Sequence, residues 1–161
     1  MRFNITKSNI KYLYWGKNNH RLMWAADDFN IIFTYDGFTM YMVENDPDLI
    51  TILESLKPGA DFCSVYSFFI GECKNIILKD LTLDDIEANW ITSDKIRLIS
   101  FRDQEGNKYI FNRKFIEKKL WASRYRYDIW KKGNYYGMYV REYDQDGENG
   151  HIVKLILGVR R

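Results

Sequence analysis

Histidine, cysteine and proline each occur only twice, and these scarcities exclude whole classes of function. His20 and His151 cannot build a His-rich metal site or an HExxH helix, and each reads as a surface or loop side chain. Cys63 and Cys73 lack the CxxC spacing of a zinc ribbon or redox pair and read as two reduced core thiols. Two prolines cannot make a proline-rich linker. No apolar run approaches the length that crosses a bilayer; Ile76-Ile77-Leu78 is among the longest. Met1–Thr6 has no apolar h-region, so no secretory signal, no membrane partner and a cytoplasmic location are expected.

Catalytic signatures are missing as well. The chain has no GxSxG, and neither GxxxxGK[ST] nor GxGxxG, so no phosphate-cradling glycine loop is present. Asp84, Asp85 and Glu87 could serve a Mg²⁺-dependent nuclease, but at the start of an expected helix they are better explained by the helix dipole. The acidic run Asp144–Glu148 places its glycine too early for a calcium loop and reads as a turn. The expectation is a protein without enzymatic activity, metal or cofactor.

Aromatic residues are plentiful: 12 Tyr, 10 Phe and 5 Trp among 161 residues. They favour half-buried pleated surfaces and raise the expectation of sheet. With 46% hydrophobic and 29% charged residues, the chain reads as one globular domain. Its net charge of +2 hides an uneven distribution. Residues 1–21 carry five basic side chains (Arg2, Lys7, Lys11, Lys17, Arg21) and no acidic one. Residues 106–132 carry nine basic side chains against Glu117 and Asp128. A near-neutral average of this kind is compatible with separate positive and negative faces.

Periodicity predicts a strand over residues 1–6, then a helix over 7–15 capped by Thr6 and ended by Gly16, Asn18 and Asn19. Its buried stripe would be Ile10, Leu13 and Tyr14, with Lys7 and Lys11 on the other side. Strands follow over 21–26, 29–34 and 38–43, the last covered on both faces. Asp46-Pro47 opens a strongly patterned helix through Leu49, Ile52, Leu53 and Leu56. Residues 62–70 and 74–78 read as strands, and Thr82 as the cap of a short helix reaching Trp90. Strands over 95–102 and 108–111 flank a hairpin loop, and Asn112 caps a helix over 113–121. The tail reads as strands over 124–130, 135–143 and 151–159. In its first strand, Arg124-Tyr125-Arg126-Tyr127 interleaves bases with rings, as a stacking platform or as cross-strand pairs that stabilise a sheet.

Several segments together resemble a DNA sliding-clamp domain. MRFNITKSNIKYLYW is similar to that family's first strand and helix, and NIIFTYDGFTMYMV to its strand–turn–strand. YIFNRKFIEKKLW resembles the strand entering its second helix, and HIVKLILGVRR its last strand. The resemblance implies an α+β fold in which residues 1–45 and 107–161 form two clamp-like halves. Residues 46–106, without counterpart in one such domain, would be an inserted helix and strands. It further implies a mainly antiparallel sheet with two basic helices on one face, the helices that line the DNA hole in that family. Those helices would hold duplex DNA through Lys7, Lys11, Lys17, Arg113, Lys114 and Lys118, with Arg124 and Arg126 on the following strand. Gly158 stands where the family's terminal proline is expected. The other reading is a protein-binding inhibitor or adaptor, of phage or mobile-element origin, that docks through a β edge or an aromatic patch.

Overall fold

A computed structural model describes residues 2–71, 76–77, 82–83, 98–116, 125–142 and 151–158. The fold is α+β with a mainly antiparallel sheet, and its contacts group into two compact units. The first comprises Met1–Lys74 with Ile152–Leu155, the second Asn75–His151 with Ile156–Arg161.

In the first unit, helix α1 (Lys7–Asn18) leads into strands β1 (Met23–Ala26), β2 (Asn30–Thr34) and β3 (Thr39–Glu44). These pair antiparallel in chain order, with Trp24 opposite Phe33 and Ile31 opposite Val43. The segment Ile152–Leu155 extends the sheet beside β3. Helix α2 (Pro47–Leu56) starts where Asp46 and Pro47 predict, the Asp46 carboxylate accepting from Asp48 N–H at 3.0 Å. Its Leu49, Leu53 and Leu56 join Leu13, Leu22, Trp24, Ile31, Phe33 and Val43 in one core. β3 is covered on both faces as expected: Met40, Met42 and Val43 are buried and Tyr41 is half-buried.

Three expectations for this unit are corrected. Residues 2–6 form no strand, because Asn4 and Thr6 spend their polar groups on the start of α1. Asn9 donates from its amide N–H to the Thr6 hydroxyl (3.2 Å) and from its side chain to the Asn4 carbonyl (2.7 Å). Residues 62–70 belong to helix α3 (Phe62–Gly71), not to a strand. A short continuous apolar run does not reveal its period; the deciding group is Asp61, whose carboxylate accepts from the Ser64 N–H and hydroxyl at 3.0 and 2.7 Å. α3 packs on β1 and β2, and its Phe69 is buried. It also leaves Cys63 exposed rather than in the core; Cys73 lies outside the described residues.

The second unit holds β4 (Ile76–Ile77), β8 (Tyr125–Lys132) and β9 (Tyr135–Glu142), together with a three-stranded sheet of β5 (Thr82–Leu83), β6 (Leu98–Arg102) and β7 (Lys108–Asn112). β10 (His151–Leu157) is the last strand, shared between the units. The β8–β9 hairpin closes through Gly133-Asn134, where Gly133 takes φ +58°, the positive value that such a two-residue turn requires. Trp130 stacks on Tyr139 (5.7 Å) and its ring covers Gly137, leaving no room there for a Cβ. Both of these rings are buried and stabilise the sheet; the side chains of the Arg124–Tyr127 run lie outside the described residues. The Tyr136 hydroxyl accepts from Ile110 N–H (3.0 Å) and donates to Ile110 C=O (3.1 Å), satisfying an edge of β7.

Two helices expected in this unit start differently where the described residues reach them. Thr82 sits in β5 instead of capping a helix; residues 84–90 lie outside the described ones. After β7 the chain makes a single 3-10 turn, Arg113–Ile116, with the Asn112 side chain accepting from Lys114 N–H at 3.0 Å. The i→i+3 hydrogen bonds of a 3-10 turn are poorer than those of an α-helix, so such turns stay short. Residues 117–121 lie outside the described ones.

The β6–β7 hairpin loop is organised by Asp103. Its carboxylate accepts from the amides of Glu105 and Asn107, the Asn107 side chain and the Tyr109 hydroxyl, at 2.9–3.0 Å. Desolvation is the largest single influence and pushes this carboxyl up, yet the four donors together hold it below the usual carboxylate range. Tyr109, buried and donating to Asp103, is pushed up to about 12. A carboxyl depressed in the folded state stabilises above its unfolded pKa and ceases to as pH falls through the folded one. Asp103→Ala should therefore lower Tm at pH 7, and the gap from wild type should close in a Tm series taken below pH 4. A gap that is constant with pH would contradict it.

Candidate functional site

The site is built on α1 and on the turn between β2 and β3. α1 buries Leu13 and Gly16, and at Gly16 a Cβ would lie 2.7 Å from the Tyr35 carbonyl oxygen, so helix and turn meet backbone to backbone. This differs from the expected stripe of Ile10, Leu13 and Tyr14. Leu13 and Gly16 define the inward side, and Lys7, Ile10, Lys11, Tyr14, Trp15 and Asn18 line a shallow depression on the outward one. Those positions recur at three- and four-residue steps, one continuous helical face. Lysines and aromatic rings therefore share a face that the sequence pattern assigned to opposite sides. Tyr14 is 48% and Trp15 46% exposed.

Gly16 does not end the helix. The chain leaves α1 through a left-handed residue, His20 at φ +55°, with His20 N–H donating to Lys17 C=O (3.1 Å) and Arg21 N–H to Gly16 C=O (2.8 Å). This doubly bonded reversal normally uses glycine. Here it turns the chain back so that the Arg21 guanidinium lies over the Trp15 ring, 5.7 Å from its centroid. The same guanidinium lies over Phe38, 5.6 Å from that ring's centroid.

Phe38, 51% exposed, is held by a buried carboxylate. Asp36 Oδ1 accepts from the amides of Phe38 and Thr39, both at 2.8 Å, while the Thr34 hydroxyl accepts from Gly37 N–H at 3.0 Å. Gly37 at φ +81° lets the turn close. Beneath it runs a column of rings. Tyr12 stacks on Tyr35 (5.2 Å), Tyr35 on Tyr41 (6.0 Å) and Tyr41 on Phe33 (5.3 Å). Burial, then the neighbouring Tyr35 that accepts its hydrogen bond, push the Tyr41 hydroxyl far up. Burial likewise raises Tyr35, against the lowering effect of the bond from Tyr41. No family model, curated protein or solved structure matches the chain.

Of the sequence-derived candidates, Lys7, Lys11 and Lys17 are together on α1 and exposed. Arg113 and Lys114 lie in the second unit, exposed, in the 3-10 turn. Arg126 is in β8, its backbone opposite Arg141. Lys118 and Arg124 fall outside the described residues, as do Asp84, Asp85 and Glu87. Arg21, Trp15 and Phe38 were not singled out by pattern, because they converge only through the helix reversal and the Asp36 turn. Among the described residues no group of three or more His, Cys, Asp or Glu could hold a metal ion. Among them, too, no helix is long and apolar enough to cross a membrane.

Proposed function

We propose that the chain is a non-enzymatic, DNA-associated protein that holds DNA through the cationic side chains of α1, contacting phosphates without reading sequence. One observation carries this reading: α1 exposes Lys7, Lys11 and Lys17, with Arg21 just beyond, in a segment free of acidic residues. Such a cluster neutralises phosphates and releases their counterions.

The test is fluorescence anisotropy on a labelled duplex of arbitrary sequence at several salt concentrations. Each phosphate neutralised contributes about 0.9 to the log–log salt slope. Replacing Lys7, Lys11 and Lys17 together by Ala should reduce the slope by up to about 2.7, with no change in sequence preference. All three are exposed, so each substitution should move stability by no more than about 0.5 kcal/mol. Undetectable binding at low salt would remove this reading.

The second reading, a protein-binding module, is favoured by the half-exposed Trp15 and Phe38 beneath the Arg21 guanidinium and by the half-exposed Tyr14 on the outward face of α1. Aromatic and arginine side chains are the residues that dominate protein interfaces. Capture of one defined protein partner, lost on Trp15→Ala, together with failure to bind DNA, would select it.

A further inference from the structure

The lysines of α1 alone would serve any phosphate backbone, but their surroundings are more selective. Lys7 and Lys11 share their face with Ile10, Tyr14 and Trp15, and Trp15 is joined to Phe38 through the guanidinium of Arg21. We infer that the preferred ligand of this surface is single-stranded nucleic acid, its unpaired bases stacking on Trp15 and Phe38 while Lys7, Lys11 and Arg21 meet the phosphates. This rests on the DNA-binding reading above and adds the form of the strand.

The argument is one of matching chemistry. In a duplex the base faces are already stacked on one another, so exposed rings gain nothing from the bound ligand. A single strand offers bare π-faces at every nucleotide, and rings beside cations are the common means of holding it without regard to sequence. The rings are also set in place beforehand. The reversal at His20 fixes Arg21, the Asp36 carboxylate fixes Phe38, and Tyr12 anchors the helix on Tyr35. Little side-chain freedom is then lost on binding. A lipid surface fits less well, since Ile10 is the one aliphatic side chain on this face, whereas a helix lying in a membrane interface presents a broad apolar side.

The experiment compares a labelled oligothymidylate with a duplex of the same length, at matched salt, on the full chain. The oligothymidylate should bind about tenfold tighter or better, one base–ring stack being worth roughly 5- to 150-fold. Trp15→Ala should weaken single-strand binding by about tenfold and leave duplex binding within about twofold. Trp15→Phe should restore most of the loss, and circular dichroism should show both variants folded. Duplex bound as tightly as single strand, or Trp15→Ala weakening both equally, would overturn the inference and leave the phosphate-binding reading standing. Failure of both forms to bind would overturn both. So would binding to anionic vesicles in place of DNA, which would reassign the surface to a membrane.

Discussion

Trp24→Ala is expected to lower Tm by about 10 °C. Trp24 is 5% exposed in the centre of the first unit's core, and truncating a buried tryptophan costs roughly 3–5 kcal/mol. Its indole also ties the end of α2 to β1. Nε1–H donates to Lys57 C=O at 2.7 Å, and the Trp24 carbonyl accepts from Ala60 N–H at 2.8 Å. Gly59 lies flat against the ring, where a Cβ would already stand 3.1 Å away. Against a total stability of roughly 5–15 kcal/mol, such a loss is a large fraction. At about 2–4 °C per kcal/mol for a chain of this size, the shift is read directly by thermal denaturation. Trp24→Phe keeps part of the ring's apolar volume but loses the indole bond and the outer ring against Gly59, so it should cost about 2 kcal/mol, less than Trp24→Ala. Equal effects from the two variants would mean that packing around the ring is not what holds this region.

Asp36→Ala should be the next most damaging change, and it connects stability to the candidate site. It deprives the amides of Phe38 and Thr39 of their acceptor, and Thr39 is 1% exposed, out of reach of replacement by water. Each bond to a charged acceptor is worth roughly 1.5–3 kcal/mol. One contribution runs the other way. Asp36 Oδ2 is buried without a hydrogen-bond partner among the described residues, so removing the carboxylate also relieves a desolvation cost. The net expectation is about 2 kcal/mol of destabilisation, with a Tm fall of about 4–8 °C. Asp36→Asn keeps an acceptor oxygen and should cost less than half as much. With its turn released, Phe38 should no longer stay under Arg21, so affinity for single-stranded DNA should fall although no contacting group has been removed. Unchanged affinity in a folded Asp36→Ala protein would show that the turn does not organise the surface.

Local elements with a strong chemical signal were legible in the chain. Asp46-Pro47 followed by leucines at helical spacing specifies α2 through its own cap and stripe. The alternation in β1–β3 and in the β6–β7 hairpin is sufficient because turn residues bound each strand. Elements without a decisive period were not legible. The run FCSVYSFFI satisfies helix and strand alike, and a single acceptor on Asp61 tips it to helix. Phe3 and Ile5 alternate as a strand would, but the neighbouring Asn4 and Thr6 have their polar groups engaged at the helix start.

The candidate site divides in the same way. That residues 1–21 are basic and free of acids is a property of composition, and Lys7, Lys11 and Lys17 were identified from it directly. The sequence likewise determined the α+β class, because periodicity and turn chemistry act over a few residues. Which side of α1 faces inward was decided by tertiary packing, since a helix with rings all round turns toward whichever neighbour fits most closely. At Gly16 that neighbour is the Tyr35 backbone, which only a residue without a Cβ can meet. The outward exposure of Trp15 beside the lysines follows from that contact. So does its pairing with Arg21 and Phe38, whose approach depends on a left-handed histidine and a buried carboxylate rather than on any spacing in the chain.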